Sequence, residues 1–180
     1  MTTYIALLRG INVSGQKLIK MDSLKAMFEA MSFRRVRTYI QSGNVIFESD
    51  DNAAERLVKA IEEEIARVYG FDVAVILRTE EELEEVIKRN HFASEQLAEG
   101  EKVYVSLLSR EPSPEAIGQL QAYSNDIDEY RIIGREVYIL CRKSYGKSQF
   151  SNNFLEKKLR VSATTRNWES VNKIVEIARS

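Results

Sequence analysis

The side chains of this chain that could do chemistry are cations set beside amides and hydroxyls. Arg166 stands in "SATTRNW" (Ser162 to Trp168), Lys147 in "CRKSYGKSQFSNNF", Arg9, Asn12 and Lys20 along "RGINVSGQKLIK", and Gln41, Ser42 and Asn44 in "QSGN". Guanidinium and ammonium groups with neutral hydrogen-bonding groups nearby recognise oxyanions, phosphate above all. Arg166 raises the sharpest question, because the last amphipathic run of the chain begins at its position. The first turn of a helix carries a partial positive charge, so a cation there calls for an anion. That anion is either a ligand, with Thr164, Thr165 and Asn167 helping to hold it, or a carboxylate from the acidic middle of the chain.

Other chemistries find less to work with. Gly10 and Gly15 have the G-x-x-x-x-G spacing of a phosphate loop, but Gln16 stands where that loop needs lysine and Leu18 where it needs a hydroxyl. The single histidine, His91, has no partner to complete a zinc set or a triad and reads as a solvent-facing residue at a helix end. The single cysteine, Cys141, lies in the apolar run "EVYILCR" and reads as a buried, inert thiol. No paired carboxylates and no nucleophile beside a base can be identified; Lys147 and Asp22 are the acid–base groups nearest the motifs. The sequence therefore implies no metal and no cofactor.

The composition, 44% apolar and 29% charged over 180 residues, is that of a globular chain. Without an apolar run long enough to span a bilayer or a secretory signal, the expected location is the cytoplasm, with no membrane partner. Net charge is −1, but it is unevenly spread: residues 1–47 hold seven Lys/Arg against two Asp/Glu, and residues 48–101 hold six against sixteen. Residues 131–166 return to nine against two. Two basic segments around an acidic middle argue against a uniformly basic nucleic-acid coat and allow a local anion site.

The elements that would position these groups follow from hydrophobic period. "TYIALLR" reads as a strand, "MDSLKAMFEAMSF" as a helix capped by Asp22, and "RVRTYIQ" with "NVIFES" as a hairpin turning tightly at Ser42-Gly43-Asn44 in the type II′ manner. "NAAERLVKAIEEEIARVYG" reads as a helix stopped by Gly70, and "FDVAVILR" as a fourth strand. After an acidic helix near residues 79–90 the order begins again: "KVYVSLL", a helix with Pro114 in its first turn, a hairpin at Gly134, a helix capped at Ser151 or Asn152, a short strand, and a last helix. Trp168 joins Val171, Ile174, Val175 and Ala178 on the apolar stripe of that helix and is expected in the core. The fold class is α+β, two tandem ferredoxin-like (βαββαβ, alpha-beta plait) subdomains with an extra C-terminal helix. Their bounds are 1–78 and 101–180, with 79–100 linking them. In strand two, Arg37, Tyr39 and Gln41 face a partly polar cleft.

Taken together, "YIALLRGINV", "TYIQSGNVIF", "YGKSQFSNNFLEKKL" and "VSATTRNWESVNKI" resemble the bacterial domain-of-unknown-function family numbered 1697. The resemblance runs through Arg9, Gly10, Asn12 and Lys20, through Gln41 to Asn44, and through Lys147, Thr165, Arg166, Asn167 and Trp168. Ser14 departs from it, standing where a glycine is expected. The resemblance implies two ferredoxin-like subdomains and no activity. The function expected from the residues is binding of a small, phosphate-bearing anion in a groove between the halves, by Arg9, Asn12, Lys20, Gln41, Ser42, Asn44, Lys147, Thr164, Thr165, Arg166 and Asn167. A nucleic-acid-binding module and an enzyme acting on a phosphorylated small molecule are the alternatives. The former needs stacking aromatics on central strands, for which Tyr104 and Tyr138 are the candidates.

Overall fold

The computed structural model describes residues 1–94, 97–122, 128–142 and 150–180. Its elements, in chain order, are β1 (Thr2–Leu8), α1 (Met21–Ala30), β2 (Arg34–Tyr39), β3 (Asn44–Ser49), α2 (Ala54–Tyr69), β4 (Val75–Thr79) and α3 (Glu80–Lys88). They continue with β5 (Lys102–Leu108), α4 (Pro114–Gln121), β6 (Asp128–Ile133), β7 (Glu136–Cys141), α5 (Asn152–Leu159), β8 (Ala163–Asn167) and α6 (Trp168–Arg179). The chain packs as two compact units, residues 1–83 with 174–180, and residues 84–173. The division therefore passes through α3 and α6, whereas the sequence suggests a separate link at 79–100.

Each unit holds one four-stranded antiparallel sheet, in the order β2-β3-β1-β4 and β6-β7-β5-β8. Registers correspond as well: Ile5 faces Arg78 across β1 and β4, and Val105 faces Arg166 across β5 and β8. In the first unit the alternate residues Tyr4, Ala6 and Leu8 join Val45, Phe47, Val75 and Leu77 under Leu24, Phe28, Leu57, Ile61 and Ile65 of the helices. The face away from that cluster carries Ile5, Leu7, Ile46 and Ile76, all buried, so it is not a solvated face. Arg37 is half-buried there, and its guanidinium donates to the Ile177 carbonyl in the last turn of α6 and to the hydroxyl of Ser180, just past that helix. The cleft expected at Arg37 is thus occupied by the chain's own C-terminal turn. In the second unit Leu108, Val137, Ile139, Cys141 and Ala163 pack with Leu120, Phe150, Leu155 and Leu159.

Several chain punctuations act as their chemistry dictates. Gly70 ends α2 in the left-handed conformation at φ 78°. Ser113 caps α4 ahead of Pro114, and Ser151 caps α5 by accepting from the Phe154 N–H. Three expectations are corrected. Asp22 does not cap α1: the cap position is Lys20, without a side-chain cap, and Asp22 lies in the first turn. The first hairpin is not a two-residue turn, since Tyr39 pairs with Asn44 and Ile40 to Gly43 form a four-residue loop. The reason lies at Gly43, where a Cβ would stand 2.7 Å from Ile11 Cδ1 and 2.9 Å from Leu8 Cβ; the loop is shaped by packing against β1. Arg166, finally, is a strand residue, two positions before α6, and not part of a helical first turn.

Candidate functional site

In the first unit the long β1–α1 connection, Arg9 to Lys20, folds back on itself. Asn12 N–H donates to the Lys17 carbonyl and Gln16 N–H to the Val13 carbonyl, enclosing a turn at Ser14 and Gly15, whose φ angles are 53° and 72°. Two successive positive φ angles define a hairpin turn of the I′ kind, so the glycine spacing serves a miniature hairpin, not a phosphate loop. The glycine expected at Ser14 is explained by its left-handed backbone. Asn12 then ties this loop to the β2–β3 hairpin. Its side-chain amide donates to the Ile19 carbonyl at 3.0 Å and the Gln41 carbonyl at 2.8 Å, and its oxygen accepts from the Ile19 N–H at 2.8 Å.

That tie brings three of the expected site residues around one open depression of about 570 Å³, lined by Asn12, Leu18, Ile19, Lys20, Met21, Asp22 and Gln41. Lys20 and Gln41 are exposed. The remaining expected residues of this unit lie elsewhere. Asn44 is buried and donates to the Tyr39 carbonyl and to the Ser42 hydroxyl, shaping the hairpin from inside. Arg9 is half-buried, its backbone N–H on the Ala74 carbonyl, and does not line the depression.

In the second unit strand alternation separates the residues of "SATTRNW". Arg166 is 6% exposed and donates from Nη1 to Thr164 Oγ1 at 2.8 Å and to the Thr165 carbonyl at 3.1 Å. Burial pushes its pKa down to about 10, which leaves it protonated at neutral pH. Thr165 points the other way, donating to Asn152 Oδ1 at 2.7 Å. Asn167 caps α6 by accepting from the Ser170 N–H at 2.7 Å. Thr164 and Arg166 thus bond each other on one face of β8, while Thr165 and Asn167 have partners of their own. Lys147 lies outside the described residues.

Trp168 corrects its expectation: it is half-buried and lines a cavity of about 200 Å³ with Phe92, Leu97, Glu101, Lys102, Val103, Asn167 and Glu169, while Val171, Ile174, Val175 and Ala178 fill the apolar stripe. The single tryptophan at the start of a helix was the only sign of it in the sequence. Tyr104 and Tyr138 are opposite neighbours of paired residues one step apart, Tyr104 with Ile139 and Tyr138 with Val105, so they face opposite ways and form no stacking platform. The Tyr138 hydroxyl is buried and donates to the Val86 carbonyl, and burial raises its pKa. His91 is exposed and Cys141 buried, as their sequence contexts suggest.

Among the described residues no group of three or more His, Cys, Asp or Glu side chains could hold a metal ion, and no helix is long and apolar enough to cross a membrane. The sequence profile of a family described as "Protein of unknown function (DUF1697)" matches residues 1–138. No curated protein matches the chain. A conserved bacterial protein from Streptococcus pneumoniae has a similar structure, with a TM-score of 0.76 at 22% sequence identity over 98% of each chain.

Proposed function

The chain belongs to this family of proteins of unknown function, and we propose that it binds a small, phosphate-bearing anion at the loop depression of the first unit. We read both units as ferredoxin-like plaits, from the strand order, and the protein as cytoplasmic. The observation that supports the binding reading is the meeting of Asn12, Lys20 and Gln41, from two separate loops, around one opening. Lys20 brings a full charge, and the Gln41 amide adds neutral donors. The start of α1, which lacks a side-chain cap, adds the positive end of a ten-residue helix beside them.

Asp22 on the same rim offsets part of this charge, which favours a small ligand over a nucleic-acid backbone. For an enzyme acting on such a ligand, the lining offers Asp22 as an acid–base group and holds no serine, cysteine or histidine, the adjacent Ser23 being bonded to the Tyr69 hydroxyl. Thermal unfolding in a series of phosphate, nucleotides and sugar phosphates tests the reading. A ligand at ten times its Kd adds about 1.4 kcal/mol of stability, a rise in Tm of about 3–6 °C for a chain of this size. Lys20→Gln should abolish the rise; an equal rise in that variant, or none with any anion, defeats the proposal.

A further inference from the structure

We infer that the anion taken by this depression carries an aliphatic chain, so that the site suits an alkyl phosphate better than bare phosphate. The inference rests on the anion-binding reading above. It comes from the side chains around the Asn12 tie. Each of the three residues joined by that amide has an exposed aliphatic neighbour: Val13 beside Asn12, Leu18 beside Ile19, and Ile40 beside Gln41. Their exposures are 57%, 66% and 48%, and they are three of the six large apolar side chains exposed among the described residues. Scattered exposed apolar residues need no explanation, whereas three that each flank one hydrogen-bonded junction mark a contact surface, with Leu18 in the depression and Val13 and Ile40 beside its lining residues Asn12 and Gln41.

The fold gains little from them. Ile40 is β-branched yet holds a left-handed backbone at φ 48°, a conformation that glycine or asparagine adopts far more readily. Neither packing nor backbone preference therefore accounts for isoleucine at that position. The corresponding connections of the second unit supply a control: residues 109–113 read "SREPS" and the hairpin loop is Gly134-Arg135, with no large aliphatic residue except a proline. Leu18 takes part in both features, since it lines the depression and is exposed. The depression is lined by the apolar Ile19 and Met21 as well as by its cation, Lys20. The charge complements a phosphate head, and the aliphatic group beyond it complements a hydrocarbon tail.

The test is calorimetric titration of the full chain with inorganic phosphate and then with ethyl, butyl and hexyl phosphate, each below its micellar concentration. Affinity should rise about two- to fourfold per methylene as the tail covers Val13, Leu18 and Ile40. Lys20→Gln should lose the whole series. Val13→Ser with Ile40→Gly should flatten the dependence on chain length while inorganic phosphate binds as before; both positions are exposed, and glycine relieves the backbone at residue 40. Phosphate bound with no dependence on chain length overturns the tail and leaves the anion reading standing. No binding by any member of the series overturns both. Hexanol binding as tightly as hexyl phosphate, an unchanged slope in the double variant, or binding only to phosphatidylglycerol–phosphatidylcholine vesicles each overturns the inference as well.

Discussion

The two units carry the same sheet order but differ at one end of it. Beyond the last residue of β1 the first unit runs twelve residues, Arg9 to Lys20, before its helix, and its hairpin loop has four, Ile40 to Gly43. Beyond β5 the second unit needs five residues, 109–113, and its hairpin loop has two, Gly134 and Arg135. The compact version shows that the sheet and helices close without the extra chain. What the first unit adds is left-handed backbone at Asn12, Ser14, Lys17 and Ile40, exposed aliphatic side chains and the Asn12 tie. Backbone strain persists where surrounding structure holds it, and such places are often used for binding.

The largest way to break this comparison is at the paired hairpin glycines. Gly43→Ala meets Leu8 and Ile11 as well as a φ of 90°, and should cost roughly 3 kcal/mol; Gly134→Ala meets open space at φ 59° and should cost about 1 kcal/mol. Equal midpoints in urea would show that the first hairpin is not held against β1. Next come the arginines at equivalent register, Arg78 and Arg166, which are 2% and 6% exposed. Arg78 donates to the Leu77 backbone carbonyl, and Arg166 donates to the Thr164 hydroxyl. Thr164→Val should therefore destabilise by about 1–2 kcal/mol and Thr164→Ser by less; a valine variant as stable as wild type would remove that hydroxyl from the account.

Acid separates the units by a smaller, local effect. The chain enters α2 through Asp51, which accepts from the Ala53 N–H at 2.9 Å and pairs with Arg56, while α5 is entered through the uncharged Ser151. The Arg56 guanidinium, with the Ala53 N–H, holds the Asp51 carboxyl down to about 2, below its ordinary 3.8. A lowered carboxyl pKa stabilises the fold above the ordinary value and loses that effect as pH falls through the folded value. Amide exchange at Ala53 should accordingly accelerate between pH 4 and 2 relative to Phe154, and Asp51→Asn should cancel the difference. Parallel behaviour of the two amides would refute it. The smallest expected change is Ser14→Gly, a gain of about 0.5 kcal/mol from relief of φ 53°, visible in the thermal midpoint.

Periodicity made the strands and helices legible, because alternate burial at Tyr4, Ala6 and Leu8 and the stripe Leu57, Ile61, Ile65 are local patterns. Gly70 and Pro114 were legible for the same reason, and the cap of α5 to within Ser151 or Asn152: their backbone chemistry acts within a few residues. Arg166 was not. A cation next to an amphipathic run looks like part of the helix, and only the pairing with Val105 reveals a strand. The glycine spacing at Gly10 and Gly15 hid a turn whose closing partner, Lys17, is set by backbone hydrogen bonds that composition does not display. Of the candidate site, residue types led to Asn12, Lys20 and Gln41; that Asn44 and Thr164 would turn inward depended on tertiary contacts.

Arg35 and Arg37 of β2 reach the end of α6 and the residue after it, bonding the Ser180 and Ile177 carbonyls across sequence separations of 145 and 140 residues. A growing chain leaves the ribosome from its N-terminus, so β2 is made long before its acceptors exist. Between the two, the whole of residues 84–173 must be synthesised. The first unit is therefore begun first, and its closing step waits until residues 174–180 have been made.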